Sequence, residues 1–271
     1  MSEATRPIRV GVGGWTFEPW RDNFFPTGWP HARELAYASR KLTAIEVNGT
    51  YYSSQKPATF AKWHAETPDG FVFSLKASRF ATNRRVLAGA GDSVLRFVNQ
   101  GIAELREKLG PIVWQFAPTK RFDPDDFEAF LKLLPVEVAG VPLRHVLDVR
   151  HASFATPEYL ALARRHRAVT VFTDSDDYPS FADITGDFVY ARLMRTEASQ
   201  ACGCPPEFFA PLAACARAWR DGTEPAGVPR IEPAPALSTP PAAPRDVFVY
   251  FIGGAKEKAP AAAMALIESL G

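Results

Sequence analysis

Surplus charge is the first thing this chain lacks: thirty-one basic residues stand against thirty acidic ones, a formal net charge of +1. No global field draws it to nucleic acid or to an anionic membrane, so any attraction for anions has to be local. Long apolar runs are missing too. Nothing approaches the roughly twenty residues of a membrane span, and the opening Met-Ser-Glu-Ala-Thr-Arg-Pro holds no apolar leader. The expectation is a cytoplasmic protein without a membrane partner. Cysteine is scarce, and Cys202, Cys204 and Cys215 are an odd number without disulfide-framework spacing, which suits a reducing compartment. They bring three soft ligands and no neighbouring histidine, so they read as reduced structural cysteines rather than a zinc site. Gly11-Val12-Gly13-Gly14 follows a strand-like run, but a dinucleotide fingerprint needs a third glycine where Thr16 stands, and no cofactor is indicated.

What the chain does have is eight short runs of β-branched and aromatic residues: Ile8 to Trp15, Ala44 to Tyr52, Phe71 to Ser78, Pro111 to Ala117, His145 to His151, Ala168 to Asp174, Phe188 to Arg195 and Val247 to Gly254. Six of the seven intervals are long enough for a crossover helix, which predicts an α/β protein, a TIM-type (β/α)8 barrel forming a single domain over residues 1–271. Asp123-Pro124 and Thr156-Pro157 mark helix starts. A long helix is expected from Asp92 to Leu109, stopped by Gly110, with others over Ala32–Lys41, Pro57–Glu66, Pro206–Arg220 and Ala259–Leu270. The interval Ser175–Asp187 is too short for a normal helix, so the sixth βα unit is degenerate. Residues 223–244 hold seven prolines in twenty-two positions and read as an extended or partly disordered insertion before the last strand, away from the active-site end.

Strand parity points to a site. Glu46 shares a face with Asn48, Ser74 with Lys76, Asp148 with Arg150, Thr170 with Asp174, and Tyr190 with Arg192. The opposite parity, with Ile45, Val47, Leu75, Leu147, Val149, Val171 and Leu193, is aliphatic and suits contact with the helices. The polar set is therefore expected inside the barrel, at the C-terminal mouth where barrel enzymes keep their chemistry. Two accounts compete. In one, Glu46, Asp148 and Asp174 neutralise Lys76, Arg150 and Arg192 one for one, a structural ion network in a non-catalytic scaffold. In the other, the catalytic groups are Glu46, Lys76, Asp148 and Asp174, with Glu46 or Asp174 as acid or base and Lys76, Arg150 and Arg192 holding a small anion such as a phosphorylated sugar or nucleotide. Asn48 and Tyr190 would orient that ligand, Trp15 and Tyr51 would offer rings to it, and the Gly253 and Gly254 amides would receive a phosphate.

Lys76 is alternatively an amine nucleophile if burial lowers its pKa. A single divalent ion on Glu46, Asp148 and Asp174 is a further option, against competition from the cationic neighbours. Arg79, Arg84, Arg85 and the rings of Trp20, Trp29 and Tyr52 suit a nucleic-acid or nuclease-like barrel, or simply a packed loop and a solvated helix start. Nothing in the sequence sets an oligomeric state.

Gly13-Gly14-Trp15 with Trp20, Phe24-Phe25-Pro26, Ile45-Glu46-Val47-Asn48-Gly49-Thr50-Tyr51-Tyr52, Trp63, Thr67-Pro68 and Phe73-Ser74-Leu75-Lys76-Ala77 resemble the YecE-like family, domain-of-unknown-function family 72. The resemblance continues through Gln115-Phe116, Asp148-Val149-Arg150-His151, Asp174 and Phe188-Val189-Tyr190-Ala191-Arg192-Leu193. It implies a TIM-type barrel and carries no assigned activity. Departures are Asp148 where the family usually has glutamate, Phe154 where tryptophan is common, Met194-Arg195 where a glycine usually follows shortly, and Ile252-Gly253-Gly254-Ala255-Lys256 where asparagines and often a histidine are usual.

Overall fold

Alternation along the strands sorts side chains into two populations, and the computed structural model, which describes residues 6–233 and 243–271, shows both. Eight strands form a closed, wholly parallel barrel: β1 Ile8–Gly13, β2 Ala44–Val47, β3 Val72–Lys76, β4 Leu109–Gln115, β5 His145–Asp148, β6 Val169–Thr173, β7 Phe188–Leu193 and β8 Asp246–Phe251. Each pairs with its sequence neighbours, and β1 closes on β8 in the register Ile8↔Val247 to Val12↔Phe251. One parity fills the interior with Ala44, Val72, Val113, Val146, Tyr190 and Tyr250. The other meets the helices through Ile45, Leu75, Trp114, Leu147 and Leu193. Gly11 has to be glycine in this closure: a Cβ there would stand 2.0 Å from the Ala44 carbonyl oxygen.

Helices Pro57–Glu66 and Ala259–Leu270 have the expected bounds. Asp123 and Thr156 cap their helices by accepting from the Asp126 and Tyr159 amides. Three expectations are corrected. The second run ends as strand at Val47, and Gly49–Tyr52 turns into one helical turn. The helix expected over Asp92–Leu109 stops at Val98, because the chain turns at Gly101 with φ +110°, where a Cβ would lie 2.7 Å from Pro57; a tight 3-10 stretch over Ile102–Lys108 follows. Gly110 is no helix stop but part of β4, pressed against Val72 and Phe73. A small hairpin, Glu137–Val138 with Val141–Pro142, was not anticipated; Ala139 and Gly140 both take positive φ, as a two-residue primed turn needs.

No helix joins β6 to β7. The gap is covered from elsewhere in the chain. Ala182 donates to the Pro229 carbonyl at 2.8 Å, and the buried Asp183 carboxylate accepts the Ile231 and Glu232 amides at 2.9 and 3.0 Å. Val228 and Ile231 pack on the core, Arg164 grips Glu232 through two 2.8 Å bonds, and Arg230 pairs with Glu224. The described part of the proline-rich insertion is therefore a substitute for the absent sixth helix rather than a free connection. Residues 234–242 of that insertion lie outside the described residues.

Candidate functional site

The strand registers Gly13↔Glu46, Gln115↔Asp148 and Thr173↔Arg192 bring the C-terminal strand ends to one level. There Arg192, 1 % exposed, is the hub. Its Nε and Nη2 donate to the two Glu46 carboxylate oxygens at 3.1 and 3.0 Å, and its Nη1 donates to Asp148 at 2.5 Å and to the Gln115 amide oxygen at 3.3 Å. Burial works against its charge, but Glu46 and Asp148 more than offset that, and the guanidinium is held more firmly protonated than usual. Arg150 binds the same Asp148 oxygen through Nε at 3.1 Å and Gln115 through Nη2 at 2.9 Å, with its guanidinium 4.4 Å from the Tyr178 ring centre. Tyr190, sealed below this layer, donates to Glu46 at 2.9 Å; burial and then the Glu46 charge keep its phenol protonated.

Lys76 differs from all of these. Among the described residues its Nζ has no acceptor within hydrogen-bonding distance and no carboxylate within 4.0 Å; it lies over the Tyr51 ring, 4.2 Å from the centroid. Among the described residues, the sealed polar side-chain atoms without a partner are Thr82 Oγ1 and Trp219 Nε1, so the Lys76 amine, itself unpartnered, touches solvent. Burial, and then the like charge of Arg192, pushes its pKa down to about 8.

Glu46, Lys76, Asp148, Arg150, Tyr190 and Arg192 are thus brought together, and Asp174 is not. The interior parity of β6 is Val169, Val171 and Thr173, whereas the Thr170 hydroxyl meets Tyr159 at 2.8 Å on the outer face. Asp174 follows the outer parity and accepts the Met194 amide at 2.6 Å, with its pKa raised by burial. The assignment of Thr170 and Asp174 to the interior, and of Val171 to the outside, is corrected: β6 is buried on both faces, and its hydroxyl is satisfied by a helix. One-for-one neutralisation fails as a result, since three cations face two carboxylates. The carboxylate trio considered for a divalent ion does not assemble, and among the described residues no three His, Cys, Asp or Glu side chains cluster as a metal would require.

Trp15, Phe17, Asn48, Trp63 and Lys256 line a cavity of about 350 Å³ at the ends of β1 and β2. Gly13 makes room there, for a Cβ would stand 2.8 Å from the Asn48 amide nitrogen. Gly253 and Gly254 follow β8 and pack on Met194 and Thr196. Trp20 is buried, bonded to the Lys256 carbonyl at 2.9 Å, and His31 and His151 are engaged by Glu34 and Ser153; these belong to loop packing. Burial raises the Cys204 and Cys215 thiols to about 11 and about 12, which keeps them protonated and inert. Parity reasoning missed Gln115, although Val113 and Gln115 continue an interior row, and Tyr178, which no pattern marked.

No helix among the described residues is long and apolar enough to cross a membrane. No curated protein matches the chain. It is similar in structure to a DUF72 family protein of Thermotoga maritima (18 % identity, 97 % of this chain and 98 % of that one, TM-score 0.73). It is similar also to a DUF72 family protein of Enterococcus faecalis (14 % identity, 97 % and 95 % coverage, TM-score 0.67), and to SacUVDE (8 % identity, 97 % and 98 % coverage, TM-score 0.56). At such identities these likenesses speak for a shared fold. The family model described as "Protein of unknown function DUF72" matches residues 9–271, nearly the whole chain. With an eight-stranded barrel and that match over almost its full length, the protein belongs to the DUF72 family.

Proposed function

We propose that the barrel mouth is the active site of an enzyme that takes a small anionic ligand, and that Lys76 is the cation meeting it. The observation that carries this reading is the charge imbalance: Glu46 and Asp148 are engaged by Arg192 and Arg150, which leaves Lys76 without a counter-ion among the described residues. A largely buried cation that lacks a counter-ion among the described residues gains from an incoming anion. Arg192, with four of its five N–H donors engaged, is a brace instead of a clamp; Glu46, Asp148 and Gln115 fix it, and Tyr190 fixes Glu46. Asn48 and Trp15 line the neighbouring cavity at the ends of β1 and β2, where a ligand would lie, with Arg150 and Tyr51 beside Lys76 to meet its charged group and the Gly253 and Gly254 amides as further donors to a phosphate. Thermal denaturation with a panel of sugar phosphates, nucleotides and carboxylic acids tests this. A ligand at a hundred times its Kd adds roughly 2.7 kcal/mol, and Lys76→Met should abolish that gain while keeping the fold. Silence across the panel, or undiminished stabilisation of Lys76→Met, sinks the reading.

A second reading, binding of single-stranded nucleic acid, is favoured by a separate groove. It has about 560 Å³ and is lined by Arg84, Arg85, Lys120 and Arg121, and the exposed ring of Phe80 stands on the residue whose carbonyl accepts from Arg84 at 2.6 Å. Basic side chains for a backbone and an open ring for a base are what such a strand needs. Affinity for a labelled oligonucleotide should then fall steeply with added salt and drop on joint replacement of Arg85 and Arg121 by alanine. Salt-insensitive or absent binding removes it.

A further inference from the structure

Two buried lysines in this barrel make opposite arrangements. Lys108, 3 % exposed, donates to the His64 and Thr67 carbonyls at 2.7 Å each and to the Thr67 hydroxyl at 3.3 Å, so its three ammonium hydrogens all have acceptors. Lys76, 8 % exposed, has none among the described residues. An ammonium that only partly reaches solvent and has no protein acceptor among the described residues gives up its proton more readily than a solvated one, and the neutral amine keeps a free lone pair. The surroundings enlarge the neutral fraction. Arg192 and Arg150 crowd Lys76 with like charge, while the carboxylates that would balance it are tied to those arginines by short bonds. The backbone is anchored, because the Thr50 hydroxyl donates to the Lys76 carbonyl at 2.8 Å, and the Tyr51 ring walls one side of the amine. Asn48 leaves β2 at the same level, two residues beyond the Glu46↔Ser74 pair as Lys76 is on β3.

We propose that Lys76 is an amine nucleophile that condenses with the carbonyl carbon of a small anionic aldehyde or ketone, one carrying a carboxylate or phosphate. The proposal rests on the anion-binding reading of the same mouth and adds the substrate class. The nitrogen lone pair forms the new C–N bond as the carbonyl π pair moves to oxygen. The two amine hydrogens leave with that oxygen as water, and the C=N bond remains; nothing is oxidised or reduced. A pKa lowered to about 8 leaves about one amine in ten neutral at pH 7, against far fewer for a solvated lysine. Burial, and then the like charge of Arg192, disfavours return of the amine to its charged form.

The test uses the full chain with glyoxylate and, separately, glyceraldehyde 3-phosphate, each with cyanoborohydride to reduce any imine to a stable secondary amine, followed by peptide mass mapping. Adduct should form on Lys76 more than about tenfold faster than on the exposed Lys62 and Lys132, with a pH midpoint near 8. It should be slowed by inorganic phosphate or acetate and be absent from Lys76→Arg. Whichever aldehyde labels faster identifies carboxylate or phosphate as the anionic group. Thermal stabilisation by the aldehydes without a Lys76 adduct overturns the imine and leaves anion binding standing. Neither stabilisation nor adduct overturns both. Should Lys76→Arg fail to fold, the wild-type pH profile decides: a Lys76 labelling midpoint near that of the exposed lysines overturns the proposal.

Discussion

Arg192 holds Glu46, Asp148 and Gln115 with three nitrogens, so removing it would leave two carboxylates facing each other's charge in a sealed layer. Arg192→Met should destabilise the fold by about 3–5 kcal/mol in urea denaturation; a loss under about 1 kcal/mol would mean the carboxylates find water. His145 gives a pH signature. It accepts from the Trp114 indole at 3.0 Å through Nδ1 and donates through Nε2 to the Pro135 carbonyl at 2.8 Å, and burial lowers its pKa to about 4. The unfolded chain binds a proton there near pH 6.5 and the folded one only near 4, so this contribution is whole above 6.5 and is lost as pH falls to 4. Stability should decline over that window in urea titrations, and His145→Gln should flatten the decline; an unchanged slope would assign it to other groups. Glu46, Lys76, Asp148 and Arg192 were legible in the sequence because their strands alternate cleanly between polar and aliphatic. Asp174 was misplaced because β6 carries valine inward and a satisfied threonine outward, so that polarity gives no direction.

Caps and turns were readable where a single side chain does the work, as at Asp123 and Thr156. They were unreadable where a distant segment decides: the turn at Gly101 is imposed by Pro57, and the cover over the β6–β7 gap comes from residues 228–232. Proline content correctly marked an irregular insertion, but composition is silent about what such a segment packs against. Asp183 is the pin. Asp183→Ala leaves the Ile231 and Glu232 amides without their acceptor and should cost about 1–3 kcal/mol. Hydrogen exchange should quicken across residues 228–232 before it does in β7. Equal protection in wild type and variant would show that Val228 and Ile231 hold the segment without the carboxylate.

Across the whole molecule, eight parallel strands were recoverable from β-branched runs and interval lengths because a closed parallel barrel has little alternative use for that pattern. The reaction was not recoverable, since a fold hosts many chemistries and only the side chains at its mouth distinguish them. Closure through β1 and β8 ties the two ends of the chain into one sheet, so far-ultraviolet circular dichroism and tryptophan fluorescence should report a single coincident transition in denaturant. Separated midpoints would show independently unfolding parts. The borrowed cover over the β6–β7 gap also has a consequence for biosynthesis. A nascent chain leaving the ribosome N-terminus first has made seven of its strands before Val228 to Glu232 emerge, and until then one flank of the half-built sheet stays bare. Premature termination in this late stretch would therefore release a sticky polypeptide suited to capture by a chaperone.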